Sequence, residues 1–101
     1  MIVGYKNTQE ERFYANENAL VRDYGKITAR KIGQRISELV AADNPQQLPK
    51  NARFHEHNGK RKGLFSIDLN HPFRLIVQPT CAYTSWIEIT SVKIYEIIDP
   101  H

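Results

Sequence analysis

Four histidines, His55, His57, His71 and His101, stand in the C-terminal half of this chain among Lys50, Arg53, Lys60, Arg61, Lys62 and Arg74. An imidazole gives or takes a proton near neutral pH, and lysine and arginine neutralise phosphate. The set therefore suits contact with a polyanion and proton transfer on it. RNA can be cut without a metal when a base activates the ribose 2′-hydroxyl, cations neutralise the phosphorane and an acid protonates the leaving oxygen. The four histidines supply candidates for base and acid, and Arg53, Lys60, Arg61 and Arg74 candidates for the cations. A plainer reading of the same residues stays open. In it, each histidine is satisfied by hydrogen bonds in or near the surface, Lys60-Arg61-Lys62 is a solvated turn before Gly63, and His101 frays unless the strand-like run before it ties it down.

Arg74 lies between Phe73 and Leu75 in an alternating segment, so its side chain leaves the face opposite the core, where a sheet can hold a guanidinium against phosphate. The alternative is an ion pair with Asp68 or Glu88 on a neighbouring strand. Phe65 and Phe73 follow the apolar period and belong to the core, whereas Tyr83 is the better aromatic for solvent or ligand. No metal or cofactor is expected. His55 and His57 with His71 or His101 reproduce neither the Cys/His spacing of structural zinc nor His-Glu-x-x-His, and Gly59 and Gly63 form no Walker loop. The single cysteine, Cys81, has no disulfide partner within the chain and reads as an inert small residue of a reducing compartment.

These groups must be positioned by a chain of 101 residues, which fits one domain over residues 1–101 and leaves room for a shallow site only. With 41% hydrophobic and 25% charged residues, global disorder is excluded. The net charge of +3 says less than its distribution, because residues 50–62 hold five basic side chains against the single acid Glu56. No apolar run reaches membrane-spanning length and the first residues lack a secretion signal, so the expected location is the cytoplasm, with no membrane contact.

Residues 2–5 read as a short strand, and the polar stretch 6–16 has no clear boundaries. Residues 18–24 form a short helix stopped by Gly25. Thr28 is expected to cap a second helix, in which Ala29, Ile32, Ile36, Leu39 and Val40 recur at helical spacing. After Pro45 and Pro49 the period changes to two. Phe65, Ile67 and Leu69 share one strand face and Phe73, Leu75 and Val77 the next, joined at Asn70-His71-Pro72, with further strand segments at 87–89 and 92–94. Helices followed by a meander predict an α+β fold whose antiparallel sheet buries one face under the helices and exposes the other.

One order of motifs runs through the last two-thirds of the chain. It comprises Arg35-Ile36-x-Glu38-Leu39-x-Ala41-Ala42, Leu48-Pro49, Arg53-Phe54-His55-Glu56, Gly59-Lys60-Arg61-Lys62-Gly63-Leu64-Phe65-Ser66-Ile67-Asp68-Leu69, His71-Pro72-Phe73-Arg74-Leu75-Ile76 and Asp99-Pro100-His101. In this order the chain resembles the HigB-type plasmid maintenance killer proteins of the RelE superfamily. The resemblance implies a small curved, mostly antiparallel sheet with two N-terminal helices on one face. It also implies the toxin of a type II toxin-antitoxin system, a ribosome-dependent mRNA endonuclease held in check by a helix-turn-helix antitoxin of the HigA type. The family's catalytic positions fall on His55, Arg74, Asp99 and His101. Joined to the residue reading, mRNA in the ribosomal A site would meet Arg74 at the scissile phosphate, with His55 or His101 moving protons and Asp99 orienting an imidazole. Lys50, Arg53, His57, Lys60, Arg61 and Lys62 would hold RNA, and Arg30, Lys31 and Arg35 would present a basic helix face to an acidic partner. Two alternatives remain. One is a non-catalytic RNA- or ribosome-binding module. The other is a toxin-like regulatory partner whose chemistry has been lost, for which Asn58 and Pro100, in place of the family's lysine and tyrosine, speak.

Overall fold

Two asparagines start the helical part of the chain. The Asn7 side chain accepts from the Glu10 backbone N–H at 2.8 Å and that of Asn16 from Ala19 at 3.1 Å, each pairing a donor that a first helical turn leaves open. Helices α1 (Thr8–Tyr14) and α2 (Glu17–Tyr24) follow these caps. Helix α1 falls in the stretch whose boundaries the sequence does not mark, and for a physical reason: none of its residues is fully buried, so no apolar stripe betrays it. It is held instead by its cap, by Glu10 and Glu11 in the first turn and by Tyr14 stacked on Tyr5 with ring centroids 5.8 Å apart.

Gly25 ends α2 at φ +86°, a left-handed conformation that glycine enters without a Cβ clash. Helix α3 (Lys26–Ala41) begins directly after it. Thr28 is therefore not the cap that its type predicts; it lies in the first turn of α3 and is buried. The Met1 amino group donates to the last carbonyls of α3, reaching Leu39 at 3.0 Å and Val40 at 3.2 Å, and also meets Ala42. A positive charge is favourable at that end of a helix dipole.

The structure, a computed structural model, describes residues 1–57 and 63–99. Its five strands are β1 (Ile2–Tyr5), β2 (His55–Glu56), β3 (Phe65–Asp68), β4 (Arg74–Pro79) and β5 (Ser91–Ile98), in the spatial order β1-β5-β4-β3-β2. Neighbours are antiparallel except β1, which runs parallel to β5 with Val3 opposite Val92. The fold is thus the expected α+β arrangement with an antiparallel-dominated sheet and the helices at the N-terminal end, three helices in place of two.

Alternation divides the sheet into two faces. Phe65, Ile67, Leu75, Val77, Val92 and Ile94 enter one cluster with Leu20, Ala29, Ile32 and Leu39 from α2 and α3. Each such large side chain, fully buried, contributes about 1.5–3 kcal/mol. Residues 87–89 do not form the expected strand. Trp86–Glu88 is a single 3-10 turn, because the Glu88 carboxylate accepts from the backbone N–H groups of Thr84 at 2.7 Å and Ser85 at 3.1 Å and curls the segment on itself. The next strand is correspondingly later and longer, Ser91–Ile98. No helix among the described residues is long and apolar enough to cross a membrane.

Candidate nucleic-acid interface on the second sheet face

Register fixes which side chains share the face turned away from the helices. His55 lies opposite Ser66, Ser66 opposite Ile76 and Ile76 opposite Glu96; one pleat further along, Asp68 lies opposite Arg74 and Arg74 opposite Ile98. This face is not bare. Ser66 and Ile76 are fully buried at its centre, outside the helix-side cluster, and His55, Arg74, Gln78 and Glu96 around them are half-buried. With strands about 4.8 Å apart and about 3.4 Å per residue, the His55 and Arg74 backbones are roughly 12 Å apart on one surface. Two side chains leaning inward over that gap can address a single phosphodiester.

His55 is set up by the residue two before it. Arg53 adopts the left-handed conformation, φ 47° and ψ 54°, at the end of the 3-10 turn Lys50–Ala52, and its carbonyl meets Nδ1 of His55. A carbonyl oxygen only accepts, so Nδ1 carries the hydrogen in the neutral ring and the lone pair sits on Nε2. That is the tautomer a general base on this face needs.

Asp68 is the hub that the residue types alone do not reveal. Its Oδ2 pairs with Arg53 Nη1 at 3.1 Å, its backbone carbonyl accepts from Arg35 Nε at 2.8 Å, and its Oδ1 lies 4.0 Å from Arg74 Nε. The last separation is beyond hydrogen-bonding range, and Oδ1 is buried with no hydrogen-bond partner among the described residues. Arg74 is thus steadied by Asp68 without a hydrogen bond to it, and its side chain keeps 37% exposure. Alternation in β3 and β4 was the signal for this pair, since Asp68 and Arg74 occupy the outward positions next to the turn.

Arg35 does not belong to a partner surface. It is 3% exposed, and besides Asp68 it donates to Glu38 Oε1 at 2.8 Å and to Asn51 O at 3.2 Å, tying α3 to β3 and to the turn that carries Arg53. Helical periodicity placed it on the polar side; a buried polar junction between α3 and the turn claims it instead. Burial alone would raise the Glu38 carboxyl, but the hydrogen bonds from Arg35 and Gln34 outweigh it and hold the group below its ordinary value. Arg30 is exposed and Lys31 half-buried. With Lys26, Ile27 and Gln34 they line a groove of about 220 Å³ on α3, in which Ile27 is 75% exposed.

Of the remaining expected residues, Lys50 is exposed in its 3-10 turn, and His57 extends the pairing past β2 by donating its backbone N–H to Leu64 at 2.8 Å. His71 stands in the turn before Arg74, at a cis bond to Pro72, and Asp99 is exposed just beyond β5. Lys60, Arg61, Lys62 and His101 lie outside the described residues, as do Asn58 and Pro100. Cys81, expected to be inert, has its thiol held below the ordinary value, chiefly by a hydrogen bond from the Thr90 backbone. Among the described residues no three His, Cys, Asp or Glu side chains gather closely enough to hold a metal ion. Comparisons of the chain with protein-family models, with curated proteins and with solved structures find no match.

Proposed function

We propose that the chain is the toxin of a type II toxin-antitoxin pair, acting in the cytoplasm as a ribosome-dependent endonuclease on translated mRNA. One observation carries this reading: His55, with its lone pair on Nε2, and the partly exposed guanidinium of Arg74 share one sheet face two strands apart. In the reaction, His55 Nε2 takes the proton of a ribose 2′-hydroxyl, the 2′-oxygen forms a bond to phosphorus, and Arg74 balances the charge that gathers on the phosphoryl oxygens. The bond to the 5′-oxygen breaks, leaving a cyclic phosphate, and that oxygen takes a proton from an acid, the role expected of His101. Dependence on the ribosome follows from the shallow face, which orients a strand poorly by itself and gains from a substrate shaped elsewhere. Asp99 keeps the role expected of it, orienting an imidazole, and His57 that of holding RNA.

The partner in this proposal is a helix-turn-helix antitoxin of the HigA type. An acidic segment with an apolar anchor suits the Lys26, Ile27, Arg30 and Lys31 groove, and the added bulk would keep the toxin out of the ribosomal A site. The test is growth arrest on induced expression, together with mapped cleavage of a translated message. H55A and R74A should each lower cleavage at least about 100-fold, the scale of lost general-base or electrostatic catalysis, and relieve the arrest. Full arrest by both variants would sink the nuclease reading. A second reading, a non-catalytic RNA- or ribosome-binding module, is favoured by Asp68, which already offsets part of the charge of Arg53 and Arg74; it predicts ribosome association with no cut message.

A further inference from the structure

Trp86 is held open at the edge of the molecule. Phe54 and Phe65 stack at 4.7 Å, and the Trp86 ring stands nearly perpendicular to both, with its centroid 4.9 Å from Phe54 and 5.9 Å from Phe65. Those two distances place the indole beside the stacked pair rather than on top of it. The same indole helps to line a groove of about 400 Å³ together with Pro45, Leu48, Pro49, Lys50, Arg53 and Phe54. The indole is 37% exposed and its neighbour Ile87 58%. Trp86 and Ile87 thus leave an open apolar patch beside the groove.

The ionic side chains that line the groove itself are basic. Lys50 and Arg53 are its ionic lining residues, and among the described residues no acid lines it. Arg53 joins the groove to the second sheet face, because the same side chain that lines the groove reaches Asp68, the residue opposite Arg74. Lys50, Arg53 and Arg74 thus form a run of cations leading from the groove to the candidate phosphate position.

We infer that this groove is a nucleotide subsite: one base of an RNA strand lies against Trp86 while Lys50 and Arg53 meet the flanking phosphates. The volume falls in the range of small-ligand sites. A flat indole flanked by cations is the pairing that sequence-tolerant single-strand binders use, stacking a base on the ring and neutralising the backbone beside it. An acidic peptide would satisfy the two cations but offers the ring no heteroaromatic base to stack on it. The inference deepens the RNA reading above and takes its ligand class from it, without needing the chain to cut.

Trp86 is the single tryptophan, so its fluorescence reports on the groove directly. The whole chain, without ribosomes, is titrated at low salt with a fully 2′-O-methylated hexaribonucleotide, which has no free 2′-hydroxyl and cannot be cleaved by this chemistry. The expected result is saturable quenching whose affinity falls about sevenfold for a fourfold rise in salt, as two neutralised phosphates of a single strand require. Lys50→Glu, on an exposed side chain, should weaken binding at least about fivefold. Absence of quenching, quenching indifferent to salt and to Lys50→Glu, or equal quenching by a hexaglutamate peptide would each overturn the subsite. Quenching by a protein that cuts no message keeps the subsite and removes the nuclease; cleavage without quenching does the reverse.

Discussion

At the scale of single residues, the proposed RNA contact turns on how strongly Asp68 competes with phosphate for two arginines. In the Arg53 pair the arginine is largely exposed, so the pair is worth no more than about 1 kcal/mol, and the Arg74 contact at 4.0 Å is weaker still. A phosphate that offers Arg74 two oxygens in fork geometry is the stronger partner. Asp68→Asn removes the competing charge while leaving an oxygen for Arg53, so RNA affinity should rise several-fold and its salt dependence should steepen. Filter binding across a salt series measures both. An unchanged slope would mean that Arg74 meets no phosphate, and the site would have to be rebuilt around other cations.

Among the elements, α3 serves two purposes on two sides. Its inner side buries Ile32 and Leu39 against the sheet, and between that core and solvent Arg35 bolts the helix to β3 and to the Lys50–Ala52 turn. That turn carries Arg53, whose carbonyl meets His55 Nδ1, so α3 is linked through it to the candidate base of the proposed reaction. Arg35→Met should cost about 3 kcal/mol, the scale of breaking a buried charge network, and chemical denaturation measures it. A loss under about 0.5 kcal/mol would show the junction to be dispensable. Glu38 gives the same junction a pH signature. Its folded-state pKa is lowered, so its contribution is complete above the ordinary carboxylate value of 4.5 and is lost as pH falls through the lower, folded value. Glu38→Gln should therefore flatten the acid limb of the stability curve and leave neutral pH little changed; an unaltered acid limb would count against the pairing.

For the molecule as a whole, the proposed roles are spread over separate surfaces. The second sheet face carries His55, Asp68 and Arg74, the Trp86 groove adjoins it through Arg53, and the basic groove of α3 uses Lys26, Arg30 and Lys31. Such separation lets a partner bind one surface while the chemistry of another stays intact. Reversing Arg30 and Lys31 to glutamate should weaken the complex with an acidic antitoxin segment at least about tenfold while cleavage by the unbound protein stays within twofold. Co-purification and message cleavage read the two effects independently. Equal affinity for the reversed protein would move the interface off α3.

The sequence by itself determined the class of the fold, the amphipathic helix around Ile32 and Leu39, and the hairpin of β3 and β4, because period 3.6 and period 2 are written in single residues and their near neighbours. It also placed Arg74 on the outward face by alternation alone. Tertiary structure decided what depends on residues far apart in the chain. Arg35 looked like a surface cation because helical spacing cannot anticipate that Asp68 and Asn51, 33 and 16 positions away, would bury it. Helix α1 hid because a cap and aromatic stacking, not an apolar stripe, hold it. Residues 87–89 read as a strand because Ile87, Glu88 and Ile89 alternate, and Glu88 overrode that period by hydrogen-bonding back to Thr84 and Ser85. The joining of β1 to β5, the hub at Asp68 and the tautomer of His55 all rest on register and on one left-handed residue, which only the folded chain brings into contact.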